Sequence, residues 1–261
     1  MTTASPGLAI PAATLIVMRN RTNAPPDLLM VERSAGMTFA GGAMVFPGGR
    51  VDAADDALAA SHEQPDAAAR IAAIRETLEE TSVAVGHTPI PEPMRASGLA
   101  LALHSGTPFA NLLHKHDLEL DLAALTLFAR WKPAFHQTRI FDTSFFLAEA
   151  PPGDWVPQPQ PGECEAVLWT SAAALLDRIA AGEATAIFPT IRNLERLAQF
   201  GTFAEARADA AAHRIETITP WIEEVSGTQY LRIPDDLGYP VTREPLDSVR
   251  RGFGAAAFPA A

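Results

Sequence analysis

The stretch "FPGGRVDAADDALAASHEQPDAAARIAAIRETLEETSVAV", residues 46–85, opens on paired glycines and closes on an alanine-rich segment carrying Arg75, Glu76, Glu79 and Glu80. From Asp66 onward, Ile71, Ile74 and Leu78 recur at three- and four-residue spacing, which predicts a helix. On that helix Glu76, Glu79 and Glu80 sit at i, i+3 and i+4, on one face and within a few ångströms of each other. Like charges so placed repel and need a cation against them. A hard divalent ion suits carboxylate oxygens. Arg75 is placed to pair with one glutamate and fix its rotamer. "RETLEE" alone is also ordinary composition for a solvated helix face. The upstream glycines favour the ion, because Gly48 and Gly49 let bare main chain approach a phosphate or turn a carbonyl toward a metal.

Working outward, 261 residues with 48% hydrophobic content suffice for a buried core. A net charge of -11 and a pI near 5.0 argue against a nucleic-acid backbone binder, which needs clustered Lys and Arg. The single cysteine, Cys164, has no internal disulfide partner. "MTTASPGLAIP" lacks the basic and apolar regions of a secretion signal, and no apolar run reaches the roughly 18 residues of a membrane span. The simplest setting is soluble, reducing and cytoplasmic, without membrane or nucleic-acid partners.

"AATLIVMRN" (12–20) and "DLLMVER" (27–33) read as a hairpin around the turn-forming "RTNAPPD", and a short strand at 43–46 ends at Pro47. Beyond the glutamate helix, "MRASGLALALHSG" and "PFANLLHKHDLEL" read as short helices forming an insertion. Strand signals return in "ALTLFARW" (124–131), "RIFDTSFFLAEA" (139–150) and, after the Pro-rich "PPGDWVPQPQPGE", "EAVLWT". "SAAALLDRIAAG" is a helix capped by Ser171. Two more helical stretches follow, and then a Pro- and Gly-rich tail. Strands and helices mix without strict alternation, which predicts an α+β sandwich and not a doubly wound sheet. We expect one domain over 1–261, with a core at about 12–200 and a C-terminal helical extension and tail over 201–261. The helical region 187–215 can cap the active site, form a homodimer contact or complete the core.

Other signals carry less. His104, His114, His116 and His136 lack partners at zinc-site spacing, and no G-x-S-x-G elbow is present. Cys164 reads as a packed side chain, and Trp131, Trp155 and Trp169 as core more than as base-stacking platforms.

"GGRVDAAD…RETLEETSV" resembles the Nudix box, G-x5-E-x7-R-E-U-x-E-E-x-G-U, at Gly49, Asp55 (for the first Glu), Arg75, Glu76, Glu79, Glu80 and Val83. It departs in three ways. Residues 56–74 separate Asp55 from Arg75 where the usual box has seven, so an extra loop is expected. Thr77 takes an apolar position, and Ser82 replaces the last Gly. "LLMVERSAGMTFAGGAMVFPGGRVDAAD" and "RIFDTSFFLA" are similar to the peroxisomal coenzyme A diphosphatase branch of the Nudix hydrolases. The likeness extends over about residues 12–200. Thr38 stands where that branch normally has an Arg, which keeps a pyrophosphatase acting on ADP-ribose or another nucleoside diphosphate derivative in play.

The resemblance implies a Nudix-type α/β/α sandwich with a mixed central sheet and extra helical insertions. It implies Mg²⁺- or Mn²⁺-dependent hydrolysis of a diphosphate linkage in a small nucleotide substrate. Glu79 and Glu80 are then primary metal ligands, and Glu76 is ligand or water-activating base. Arg75 belongs to the catalytic set, and the Gly49 carbonyl is a further ligand. Glu163 or Glu165 is the candidate carboxylate outside the box. Gly48, Gly49, Arg33 and Arg139 are candidate substrate contacts. A regulator that keeps the fold without catalysis is the reading from another class; the three intact glutamates speak against it.

Overall fold

The computed structural model describes residues 9–37, 40–133 and 140–253. Thr38, His136, Arg139 and the last residues of the tail lie outside the described residues. The chain opens with strands β1 (Ile10–Arg21), β2 (Ala24–Arg33), β3 (Met44–Val45) and β4 (Gly48–Arg50), then helices α1 (Ala53–Ala59) and α2 (Ala67–Thr81). After β5 (His87–Thr88) come α3 (Pro93–His104), α4 (Phe109–Lys115), β6 (Glu119–Leu120), β7 (Thr126–Trp131) and β8 (Phe141–Glu149). Next are β9 (Cys164–Ser171), α5 (Ala172–Ala180), α6 (Phe188–Leu197), α7 (Phe203–Ala212) and β10 (Thr217–Ile218). The last elements are β11 (Trp221–Val225), β12 (Thr228–Arg232), β13 (Arg243–Pro245) and α8 (Leu246–Phe253).

The main sheet runs β10-β7-β8-β1-β2-β3, with β4 on β1 and β9 on β2. It is mixed, since β1–β8 and β7–β10 are parallel and the other pairs antiparallel. Alternation along β1 sorts its apolar residues onto two faces. Ala13, Leu15 and Val17 face a core built with α2, α3 and α4. Ile16 and Met18 face the other core, built with α5, α6 and α7. The result is the expected α/β/α sandwich. Among the described residues no helix is long and apolar enough to cross a membrane.

What positions the box is a fork in this sheet. One edge of β1 is taken by β8, from Ile10 to Met18. The other edge pairs with β2 only near the hairpin end, Met18↔Leu28 and Arg19↔Asp27. Toward its start that edge pairs with β4 instead, Ala13↔Gly49 and Thr14↔Gly48. β2 likewise carries β9 along one edge and β3 on the other, at Val31 and Glu32. Residues 44–50 therefore fill the gap where β1 and β2 splay apart, with Leu15 N–H bonded to the Pro47 carbonyl.

Several sequence expectations are corrected. The paired glycines lie in strand β4, not in a turn, because the free edge of β1 supplies partners for their backbone. The expected extra loop is α1 plus the first turns of α2, joined by residues 60–66. Pro25 and Pro26 belong to β2, whose first residues tolerate missing donors, and only Thr22 and Asn23 turn the chain. The region read as a tail contains β10 to β13 and α8, and its Leu231, Ile233, Leu237 and Tyr239 are buried in the same core as α6 and α7. Phe188, Leu194 and Leu197 of α6 are buried there too, so this helix completes the core.

Hydrogen bonds tie the C-terminal strands to that core. The Trp131 indole donates to the Tyr239 hydroxyl at 3.1 Å, which donates to Asn193 Oδ1 at 2.8 Å. Leu231, with no exposed surface, tests the connection. Leu231→Ala is expected to cost about 2–5 kcal/mol by cavity formation, read as a lower urea midpoint in tryptophan fluorescence. An unchanged midpoint would mean that these strands do not share the core.

Candidate active site

The segment "RVDAADD" turns from β4 into α1 and buries Asp55. Asp55 Oδ2 accepts from the Asp52 N–H at 2.9 Å, closing the first turn of α1. The same carboxylate receives Arg75 in a two-pronged pair, Nε to Oδ1 at 3.0 Å and Nη2 to Oδ2 at 2.9 Å. Arg75 also donates to the Arg50 carbonyl at 3.1 Å and to Glu76 Oε1 at 2.9 Å, and stands 3.7 Å from Glu79 Oε2. One guanidinium thus anchors α1, β4 and α2 and serves as counter-charge to two box glutamates.

Glu80 is buried at the foot of the fork. Its Oε2 accepts from the Gly48 N–H at 3.0 Å. Burial first, then the neighbouring Glu76, push its pKa up to about 8, against the pull of Gly48 N–H and Arg33. Burial likewise raises Glu76 to about 7; Arg75 opposes the shift and Glu79 adds to it. Glu79, half-buried, is raised chiefly by burial, opposed by Arg75 and reinforced by Glu163. A Cβ on Gly49 would collide with the Glu76 carboxylate. Bare main chain at that position is what lets α2 sit so close.

The fold gathers most of the sequence candidates. Glu163 lies near enough to raise all three box glutamates. Arg33, at the end of β2, acts on Glu80 by its charge, which lowers the Glu80 pKa. Glu165 differs: it is exposed, the extra residue of a bulge where Glu32 pairs with Ala166 and Arg33 with Cys164. Arg139 lies outside the described residues. Cys164 is buried beside this cluster, its thiol pushed up to about 12 by burial and by Glu80, so it is a packed, protonated side chain.

Two participants were missed. Asp55 was matched to the box without a role; its signal is an acid three residues after Asp52. His104, dismissed as a zinc ligand, stands at the end of α3 close enough to pull on the charge of Glu79. No spacing announces it, because only the packing of α3 on α2 brings it there.

Among the described residues no three His, Cys, Asp or Glu side chains stand in ready-made coordinating geometry. The carboxylates are drawn up around Arg75 instead. Their chemistry still fits a hard divalent ion: the donors are all oxygen, and they raise one another's pKa. A backbone stripped of side chains lies against them.

These shifts set the stability of the metal-free protein against pH. A carboxyl raised in the folded state binds its proton more tightly there than in the unfolded chain. Its contribution is complete below the ordinary value of about 4.5 and is lost as pH rises through about 8. In EDTA, the melting temperature is expected to fall between these limits. Glu80→Gln, which keeps an acceptor for the Gly48 N–H, should flatten that fall. Equal slopes for both proteins would remove Glu80 as the cause.

No protein-family model matches the chain. It is 27% identical to human acyl-coenzyme A diphosphatase NUDT19, over 75% of this chain and 66% of that protein. The chain thus spans just under two thirds of the length of this curated relative. A crystal structure of a Nudix hydrolase from Alicyclobacillus acidocaldarius superposes with a TM-score of 0.66 at 29% identity, covering 77% of this chain and 96% of that one. With the box helix seated on the forked sheet and these two likenesses in hand, the chain has the Nudix fold and resembles the Nudix hydrolases, among them their coenzyme A diphosphatase branch.

Proposed function

We propose that this chain is a Nudix hydrolase that cleaves the diphosphate linkage of coenzyme A or its acyl esters, giving a 4'-phosphopantetheine species and adenosine 3',5'-bisphosphate. The observation that carries the reading is the position of Arg33. The "RS" of "LLMVERS", part of the likeness to the coenzyme A branch, ends β2 beside Glu80 and so brings a cation to the carboxylate cluster. The acyl-coenzyme A activity named for the human relative supports the same substrate class.

In this reading Glu79, Glu80, the Gly49 carbonyl and Glu163 are the oxygen donors for Mg²⁺ or Mn²⁺. Bound there, the ion supplies neutralisation of the diphosphate and a water of lowered pKa. Glu76 is a further donor or the acceptor of the attacking water's proton. A pKa near 7 suits the latter role, and its Arg75 hydrogen bond fixes the carboxylate's direction. Arg75 positions, since its donors are spent on Asp55, Glu76 and the Arg50 carbonyl. Arg33 contacts a substrate phosphate, a role Arg139 shares. The Gly48 N–H holds Glu80, and the bare main chain at Gly49 lets phosphate come close. Attack on phosphorus then depends on alignment and charge stabilisation.

Mass-spectrometric product analysis with free coenzyme A, dephospho-coenzyme A and ADP-ribose tests the substrate. Adenosine 3',5'-bisphosphate from coenzyme A is expected; preferential cleavage of ADP-ribose would replace this reading with a different pyrophosphatase. Glu79→Gln should abolish turnover with an unchanged circular dichroism spectrum, and retained Mg²⁺-dependent activity would refute its assignment. Gly49→Ala, which drives a methyl into the Glu76 carboxylate, should reduce kcat by about 10²-fold, the loss associated with misplacing a reacting group by about 1 Å.

A further inference from the structure

Glu163 differs from the box glutamates in coming from a loop. The connector between β8 and β9, residues 150–163, has no helix or strand of its own, and such segments are ordinarily the most mobile part of a fold. This one is held along its length. Trp155 is buried in the α2 core, its indole donates to the Pro152 carbonyl at 3.1 Å, and the Trp169 indole of β9 donates to the Trp155 carbonyl at 3.2 Å. The Gln158 N–H donates at 2.9 Å to the carbonyl of Thr81, the last residue of the box helix. The Ser34 N–H, one residue beyond Arg33, donates to the Glu163 carbonyl at 2.9 Å. The loop thus hangs on α2 and on the end of β2, the two places that carry Glu80 and Arg33.

Between those two attachments the chain makes a tight turn. The N–H groups of Glu163 and Cys164 both reach the Gln160 carbonyl, at 3.3 Å and 3.0 Å. Pro161 and Gly162 are the central residues, and Gly162 has φ of +91°. Proline followed by a left-handed glycine is the pattern of a type II turn. A Cβ at 162 would meet nothing within 4 Å, so the backbone angle and not lack of space calls for glycine. Glu163 is the residue that leaves this turn, and a turn of another shape would send it elsewhere. We propose that Gly162 is a positioning residue for the metal: its left-handed turn fixes where Glu163 presents its carboxylate and so sets the affinity for the divalent ion. The assignment rests on the reading of Glu163 as an oxygen donor and is independent of which nucleotide is cleaved.

The test is a Mn²⁺ titration of the full chain, with the free ion followed by electron paramagnetic resonance, in the wild type, Gly162→Ala, Gly162→Asn, Glu163→Gln and the double variant Gly162→Ala/Glu163→Gln. Gly162→Ala is expected to weaken Mn²⁺ binding about tenfold, the lower end of what losing a residue that orients a ligand costs. Asparagine accepts the left-handed conformation that strains alanine, so Gly162→Asn should bind within about twofold of the wild type. The double variant should bind no more weakly than Glu163→Gln, because Gly162 acts only through that carboxylate. Circular dichroism in EDTA checks folding. Pro161→Gly, which loosens the same turn without straining it, should weaken binding in the same direction and carries the comparison if Gly162→Ala does not fold. Unchanged affinity in Glu163→Gln would take Glu163 out of the metal set and this proposal with it, leaving the box glutamates and the substrate reading in place. Where Glu163→Gln does weaken binding, wild-type affinity in both turn variants, an asparagine no better than alanine, or losses that add in the double variant overturn the positioning role.

Discussion

Everything in the site depends on one guanidinium holding carboxylates that would otherwise drive α2 away from the sheet. Glu76, Glu79 and Glu80 share a helix face, and burial raises the pKa of all three, with Glu163 adding to each, Glu79 to Glu76, and Glu76 to Glu80. Exposed ion pairs contribute little, but a paired arginine that is mostly buried contributes through what its loss would leave unpaired. Arg75 is such a residue, with a side chain 12% exposed and five polar contacts within reach. Its two-pronged partner Asp55 cannot swing away, because the same carboxylate closes the first turn of α1. The clamp fixes Arg75, and Arg75 in turn holds Glu76 and stands against Glu79, while the Gly48 N–H holds Glu80.

The sheet supplies the second half of the constraint. Had β1 and β2 paired along their whole length, residues 44–50 would have no edge to join. Their divergence opens one, and the chain enters it at Met44 and leaves it at Arg50. The bare main chain is thereby held by strand hydrogen bonds instead of hanging as a loop. Gly48 points its N–H at Glu80, and the missing side chain at Gly49 makes room for Glu76. Rigid placement of this kind is what a site needs when it works through alignment and electrostatics.

The glutamate helix was legible because spacing alone puts i, i+3 and i+4 on one face, and the helical pattern begins at Asp66, one residue before α2; its end was not, because Ser82 stands where the box has glycine. The sandwich was legible from its long apolar strands. β4 was not, because glycine and proline are poor strand formers and only the open edge of β1 makes a strand of them. α1 was hidden by an insertion that reads as loop, although Asp52 and Asp55 mark its start. The strands after α7 escaped because β11 is exposed or half-exposed throughout, so "WIEEV" shows no alternation of buried and solvated positions. Glu163 and Glu165 are indistinguishable in sequence; a bulge decides which of them is the extra, exposed residue.

The departures from the family pattern show what the geometry tolerates. Thr77, at an apolar position, is fully buried but donates its hydroxyl to the Ala73 carbonyl at 2.7 Å, so nothing polar is left unpaired. Ser82 stands where the box has glycine and takes the left-handed conformation glycine would favour, with φ of 60°. That conformation costs an ordinary residue about 1–2 kcal/mol. It is offset locally: the Ser82 N–H caps the Leu78 carbonyl, and Val83, Ala84 and Val85 behind it are buried. The turn must bend there for those three residues to reach the core. The helix therefore ends at the same point with serine as with glycine, and Glu80, two residues before the turn, keeps its place over the Gly48 N–H.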